Sequence, residues 1–209
     1  MNFFKFLKNT YGPNVFEEAL PQFHADPIGY GDRSFTGCTL LHKMIALDDK
    51  EGVLEKEYFL TKHALNGFSC TYDGWYKATP LWMVVKWRGD WWLDVVNLMI
   101  ERGADVNAVP DYSLFSATNV NILGEAAKQE CVACVAPLLA AGADPNGGSK
   151  APLVAARWNT RVARLLLEGG ADPNLESFYN PHDRASPLQL AKDNNKEEMI
   201  KLYKEFGYH

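Results

Sequence analysis

The sequence predicts an all-α protein, a solenoid of about five helix-turn-helix units stacked in a row. Three five-residue segments of nearly the same sequence carry this prediction, and each directly follows an apolar run of helical character: residues 103–107, 142–146 and 170–174. Each begins with Gly-Ala-Asp and ends in Asn. Glycine accepts the left-handed backbone that closes a helix, and an Asp side chain turns the chain by bonding its own backbone. These segments therefore mark helix ends.

A second pattern marks the start of each unit. Thr79, Ala151 and Ser186 each precede a Pro-Leu pair. A hydroxyl or small residue before proline suits a helix N-cap followed by the first helical position. Helix starts are therefore expected after these three residues and, from similar segments, near Thr39 and Asn121.

The two patterns together resemble the ankyrin repeat, whose units start with Thr-Pro-Leu-His-x-Ala and end with a Gly-Ala-Asp-x-Asn turn. The resemblance implies an ankyrin-repeat stack over residues 35–209, with units near 35–66, 75–107, 117–146, 147–174 and 182–209. It also places His42 where ankyrin repeats keep a histidine that ties loops together by hydrogen bonds. Residues 1–34 do not fit the repeat, and we expect them to form an N-terminal helical cap.

The spacing of the turns predicts inserted loops. The alanines of the turns are Ala64, Ala104, Ala143 and Ala171, so the steps between them are 40, 39 and 28 residues. The ankyrin period is about 33 residues, so the first two steps carry extra residues. Insertions are accommodated most easily in loops, and the expected ones are residues 66–78, 108–120 and 175–185.

Charge and apolar runs limit the classes of partner. The net charge of −5 gives no reason to expect a nucleic-acid partner, because phosphate binding is driven by an excess of Lys and Arg. Lys5 and Lys8 interrupt the first apolar stretch, which makes a poor secretory signal. The longest uncharged apolar run, residues 131–143, is too short to span a bilayer. We expect a cytoplasmic monomer that does not insert into membranes.

The sequence contains no common catalytic motif. Walker-type phosphate loops, His-Glu-x-x-His and Gly-x-Ser-x-Gly are absent, so we expect no catalytic residue, cofactor or enzymatic activity. The pair Cys131-x-x-Cys134 lacks the strand expected beside a redox site and the further ligands of a zinc site. We therefore expect no metal site, and structural thiols in a reducing compartment at all four cysteines: Cys38, Cys70, Cys131 and Cys134.

The resemblance also implies a binding surface. Ankyrin repeats place their first helices side by side along a concave groove, and the residues that enter and leave these helices point into it. This rule assigns to the partner-binding surface Trp75, Tyr76, Lys86, Trp87, Lys128, Gln129, Trp158 and Asn159. Arg88 and Arg157 are added because they contribute positive charge near the same groove. Exposed aromatic and arginine side chains dominate the energetics of protein interfaces. The local excess of positive charge favours a partner segment that is acidic or phosphorylated.

Two alternatives stay open for these aromatic residues. Trp82, Trp91 and Trp92 are expected to be partly buried, and the inserted residues 88–90 could fold back so that Trp87 packs against them. Aromatic residues near the tips of the inserted loops form a second candidate contact surface, although loops also vary without effect: Tyr112, Phe115, Phe178 and Tyr179.

The predicted function is that of a non-enzymatic protein–protein interaction module or adaptor, which binds a partner segment in the concave groove. An alternative, compatible with the degenerate units, is a secreted bacterial effector or host-targeting regulator, translocated into a host cell, that captures a host protein with the ankyrin stack. An enzyme built by residues 1–34 is a third class, but that segment is too short to form a fold with a site.

Overall fold

The computed structural model describes residues 40–46, 48, 50–55, 60, 65–67, 69–70, 77–110, 120–180 and 182–209. This part of the chain is mostly helical. The N-terminal cap predicted for residues 1–34 lies outside the described residues.

The described helices follow one another in pairs. The first pair is α1 (Leu40–Ala46) and α2 (Lys50–Glu55). A short 3-10 helix, Gly89–Trp92, separates the helices of the second pair. The remaining bounds are α3 (Pro80–Trp87) and α4 (Leu93–Glu101), α5 (Ile122–Lys128) and α6 (Val132–Ala140), α7 (Pro152–Ala155) and α8 (Thr160–Glu168), and α9 (Pro187–Asp193) and α10 (Glu197–Glu205).

The predicted helix starts are confirmed by the caps of these helices. The side-chain oxygens of Thr79, Asn121 and Ser186 each accept a hydrogen bond from the backbone N–H three residues later, over 3.4, 2.8 and 3.1 Å. Helix α7 starts directly after Ala151 without a side-chain cap. These bonds satisfy N–H groups that a helix leaves unpaired at its start.

The helices pack in two rows. In one row α1 contacts α3, α3 contacts α5, and α5 contacts α7. In the other row α2, α4, α6, α8 and α10 each contact the next. The apolar core runs between the rows and includes side chains with no solvent exposure, such as Trp82, Leu123, Leu138 and Leu166.

The Gly-Ala-Asp turns have the predicted local geometry. Gly103, Gly142 and Gly170 have φ of +87°, +87° and +90°, in the left-handed region. In each turn a carboxylate oxygen of the Asp accepts a hydrogen bond of 2.8 to 2.9 Å from the N–H of the Asn two residues later. The glycine ends the helix, and the Asp then redirects the chain.

The asparagine of each turn also joins that turn to the next one. The Asn107 side chain donates to the carbonyl oxygen of Gly142 over 2.9 Å and accepts from the N–H of Asp144 over 2.8 Å. Asn146 makes the same two bonds to Gly170 and Asp172, over 3.1 and 2.8 Å. Asn66 makes them to Gly103 and Asp105, over 3.3 and 2.7 Å. The degenerate turn at Asn66 therefore belongs to the same series.

We expect Asn146→Ala to lower the free energy of unfolding by about 1–2 kcal/mol, since it removes two hydrogen bonds of about 1 kcal/mol each. The matched control is Asn174→Ala. Asn174 has the same position in its turn, but no further Gly-Ala-Asp turn follows it in the sequence. Urea unfolding of both variants measures the difference, and equal losses would contradict the stabilising role of the bonds between turns.

The described residues are mostly helical, in line with the all-α prediction, and they also contain two short hairpins. Within the described residues, strand β1 (Ser69–Cys70) pairs antiparallel with β2 (Lys77–Ala78), and β3 (Ser177–Phe178) pairs antiparallel with β4 (Arg184–Ala185). These hairpins lie in two of the predicted insertions, 66–78 and 175–185. The side chain of Asn180 accepts hydrogen bonds from the N–H groups of His182 and Asp183 and so stabilises the tip of the second hairpin.

The prediction of free structural thiols is wrong for one pair of cysteines. Cys131 and Cys134 form a disulfide. Cys131 is the N-cap of α6, and Cys134 lies one turn further along the same helix. A spacing of three residues brings two side chains to the same face at a helix start, which is why this pair can bond. Both residues are buried.

Candidate functional site

The predicted groove residues that the structure describes lie where the helices of the first row end. Lys86 and Trp87 are the last two residues of α3. Lys128 ends α5, and Gln129 is its C-cap. Arg157 and Trp158 follow α7, whereas Trp75 and Tyr76 lie outside the described residues. Helix α5 contacts both α3 and α7, so these residues belong to the ends of three helices packed in one row.

Trp158 presents its indole ring at this surface. The side chain is partly exposed, with 40% of its area accessible. Arg157 has a φ of +53°, a left-handed conformation that turns the chain directly after α7. The ammonium group of Lys196 lies 5.3 Å from the centre of the Trp158 ring, within the range of a cation–π contact. Lys196 thus contacts the ring while part of the side chain remains exposed to solvent.

Arg157, the residue before Trp158, and Lys128 both act electrostatically on Lys150, and we call these three cations the basic cluster. Partial burial of Lys150, and then the positive charges of Arg157 and Lys128, lower the pKa of the Lys150 ammonium group. Its Nζ donates a hydrogen bond of 3.2 Å to the carbonyl oxygen of Tyr179. Three like charges this close repel one another, so an anion bound among them would be stabilised.

Sequence reasoning missed Lys150, although a signal for it was present. Lys150 stands directly before Ala151, where α7 begins. Residues that lead into a first helix were expected to face the groove, and that rule applies to Lys150 as well as to Trp75 and Tyr76.

The polar residues next to the basic cluster are bound to the protein itself. Gln129 donates a hydrogen bond of 2.7 Å to the buried carboxylate of Glu125, and Lys128 lies 3.9 Å from the other oxygen of that carboxylate. Asn159 caps α8 by accepting from the N–H of Val162 over 3.1 Å. Its amide also donates to Glu130 over 3.1 Å. Gln129 and Asn159 therefore support the shape of the surface.

The residues at the end of α3 are more deeply embedded than those beside Trp158. Trp87 is half-buried and packs against the core. The ammonium group of Lys86 lies 4.8 Å from the centre of the Trp82 ring. Arg88 donates a hydrogen bond of 2.9 Å to the carbonyl oxygen of Ile45 and lies 3.3 Å from the carboxylate of Asp48. Arg88 thereby ties the second helix pair to the first.

The three other described tryptophans do not share the intermediate burial that we expected. Trp82 and Trp92 are buried, whereas Trp91 is 86% exposed. Trp91 and Trp92 are neighbours in the 3-10 helix. A 3-10 helix has three residues per turn, so adjacent side chains point about 120° apart and only one of the two faces the core.

Two of the four candidate loop contacts, Phe178 and Tyr179, are among the described residues. Phe178 is half-buried, and the guanidinium group of Arg184 lies 5.3 Å from the centre of its ring. Tyr179 is exposed, and its carbonyl oxygen is the acceptor for Lys150. The second hairpin therefore borders the basic cluster. Tyr112 and Phe115 lie outside the described residues.

This architecture, paired helices with exposed charged and aromatic residues at neighbouring helix ends, defines a helical-repeat protein. Residues 76–111 match the family model described as Ankyrin repeat, and the match covers α3, α4 and the Gly-Ala-Asp turn that follows. This segment of the chain is thus similar to an ankyrin repeat. Ankyrin repeats are generally non-catalytic modules for protein–protein interaction. None of the described helices is long and apolar enough to cross a bilayer.

Proposed function

We propose that this protein is a non-enzymatic adaptor whose five helix pairs form one ankyrin stack with a concave groove. The groove binds an acidic or phosphorylated segment of a partner protein. The two rows of helix contacts and the asparagine bonds between successive turns support the stack. The family's general role in protein–protein interaction supports the adaptor function.

The observation that carries the proposal is the basic cluster beside the exposed face of Trp158. The chain has a net charge of −5, yet three cations meet here: partial burial, and then the positive charges of Arg157 and Lys128, lower the pKa of the Lys150 ammonium group. A carboxylate or phosphate of the partner would relieve this repulsion. An apolar residue next to that anion would pack on the indole ring.

The surface is already ordered before a partner arrives. Lys150 is held by its bond to the hairpin, and Trp158 is held by Lys196. Asn159 fixes the start of α8 immediately after Trp158. Binding to a preformed surface loses little free energy to the ordering of side chains and loops. A short extended segment therefore gains affinity from a few contacts.

The test measures the binding of short fluorescent peptides that share one apolar residue and differ in charge: acidic, phosphorylated, neutral and basic. We expect the acidic and phosphorylated peptides to bind more tightly than the other two. Lys150→Glu combined with Arg157→Glu should weaken that binding at least about tenfold, which corresponds to about 1.4 kcal/mol. Trp158→Ala should weaken binding of the same peptides without changing the preference for negative charge.

A matched control makes the same charge change elsewhere. Lys201→Glu combined with Lys204→Glu alters the net charge equally but lies on α10, in the other row of helices. If both double variants weaken binding to the same extent, attraction is a property of the total charge, and the proposed site is wrong. Equal affinity for the acidic and basic peptides would also refute it.

A further inference from the structure

A second constellation lies away from the groove, where the second helix pair meets the third. The potential ligand atoms of Asp90, Cys131 and Cys134 all lie within 4.8 Å of one another. A carboxylate oxygen of Asp90 lies 2.9 Å from the Sγ of Cys131. Asp90 is 41 residues before Cys131 in the chain, so the fold alone creates the constellation.

The inserted residues 88–90 bring Asp90 to the cysteines. Gly89 has a φ of +51°, and a Cβ at that position would lie 3.9 Å from both the Cβ and the Sγ of Cys131. The chain thus turns tightly against the start of α6, and the 3-10 helix contacts α6. Cys131 and Cys134 are buried, while Asp90 is exposed to solvent. One side of the constellation is therefore closed and the other is open to water.

The charges in this arrangement favour the binding of a cation. A disulfide sulfur carries no proton. The Sγ of Cys131 therefore cannot donate a hydrogen bond to the Asp90 carboxylate oxygen that lies 2.9 Å away. In the reduced protein the same place holds two thiols and a carboxylate. Loss of the thiol protons would put three negative charges together, and a divalent cation would offset most of them. The N-terminus of α6 also favours thiolates, because the helix dipole is positive there.

We infer that reduction of the Cys131–Cys134 disulfide opens a Zn²⁺ site formed by two thiolates and the Asp90 carboxylate. Two molecules of a small thiol reduce the disulfide: they supply two electrons, the two cysteines gain protons, and the small thiol leaves as its own disulfide. Binding of Zn²⁺ then releases both cysteine protons to solvent. Zinc binds sulfur at about 2.3 Å and carboxylate oxygen at about 2.0–2.2 Å, and three protein ligands leave a fourth position for water.

The distances are compatible with this coordination. Those bond lengths place tetrahedral ligand atoms about 3.4–3.8 Å apart, and the three ligand atoms already lie within 4.8 Å of one another. The Cα atoms of the two cysteines are 5.4 Å apart. Once the disulfide is broken, rotation of the two side chains separates the sulfurs without movement of the helix.

The experiment uses the full chain with Cys38→Ser and Cys70→Ser, so that only one pair of thiols remains. A phosphine reduces the protein, which is then desalted without oxygen and titrated with Co²⁺ as a spectroscopic substitute for Zn²⁺. We expect a thiolate-to-cobalt charge-transfer band and the intense visible bands of tetrahedral cobalt, saturating at one ion per chain and lost on addition of Zn²⁺. The oxidised protein should show none of these bands.

Single substitutions then test the three ligands. Asp90→Asn should weaken Co²⁺ binding at least about tenfold, while Asp94→Asn, a carboxylate on the next turn that pairs with Lys50, should leave it unchanged. Cys134→Ser should abolish the charge-transfer band. Cys134 is buried, so its substitution could unfold the chain and remove Co²⁺ binding for that reason alone. Asp90 is exposed, so Asp90→Asn should leave the fold intact and test the ligand directly. Two results would overturn the zinc site. One is the absence of a charge-transfer band in reduced protein that has two titratable thiols, and the other is Co²⁺ affinity that Asp90→Asn leaves unaltered.

Discussion

Trp82→Ala is expected to lower the free energy of unfolding by about 3–5 kcal/mol, the usual cost of removing a large aromatic side chain from a core. Trp82 lies in α3 and has no solvent exposure. Helix α3 contacts both α1 and α5, so the cavity would weaken two helix contacts at once. In a repeat stack each unit depends on its neighbours, and the damage should spread beyond α3. Urea unfolding monitored by circular dichroism measures the loss.

The same substitution at Trp91 is the matched control. Trp91 is 86% exposed, so we expect Trp91→Ala to change stability by no more than about 0.5 kcal/mol. Its carbonyl oxygen accepts a hydrogen bond of 2.8 Å from Lys50, and that backbone bond survives the loss of the indole. Similar costs for the two variants would mean that the assignment of one tryptophan to the core and the other to the surface is wrong.

His42 should make the stability of the protein depend on pH. Burial lowers the pKa of His42 from 6.5 to about 4, although its hydrogen bond to the Ala78 carbonyl oxygen opposes this shift. The folded protein therefore holds the neutral imidazole, whose Nε2 lies 3.0 Å from that oxygen. Above pH 6.5 the stability is fully present. It is lost progressively as the pH falls from 6.5 towards 4, because the unfolded chain binds the proton more tightly.

The expected loss between about pH 7.5 and pH 4 is about 3 kcal/mol, from about 1.4 kcal/mol per unit of pKa shift. Other groups titrate in the same range, so the comparison variant is His42→Gln, which keeps an amide donor but does not titrate. The difference in unfolding free energy between wild type and variant should shrink by that amount as the pH falls. A difference that stays constant across this range would show that the imidazole is not held in its neutral form.

Much of the helical framework could be predicted from local sequence. The N-caps at Thr79, Asn121 and Ser186 and the left-handed turn glycines lie where the sequence placed them. These features depend on hydrogen bonds and backbone preferences within four or five residues, and that information is contained in any short window. The role of His42 was predicted from the resemblance to ankyrin repeats, and its bond to Ala78 confirms a contact across 36 residues.

The candidate site could be predicted only in part. Lys128 and Trp158 were named from the pattern of the repeats and Arg157 from its charge, but Lys150 joins them because the hairpin β3–β4 holds its ammonium group. Arg88 was assigned to the groove on its charge, whereas the structure binds it to the end of α1. A side chain with several possible partners is placed by the packing around it, and the sequence does not describe that packing.

By itself the sequence determined the repeated helix pairs, their boundaries and the turns between them, because capping residues, prolines and glycines act on the backbone beside them. Only the tertiary structure decided which of two adjacent tryptophans is buried, where the insertions form hairpins, and that Asp90 lies against Cys131. Those outcomes join residues tens of positions apart. Their energy comes from contacts that exist only after the helices have packed, so no local pattern of residues encodes them.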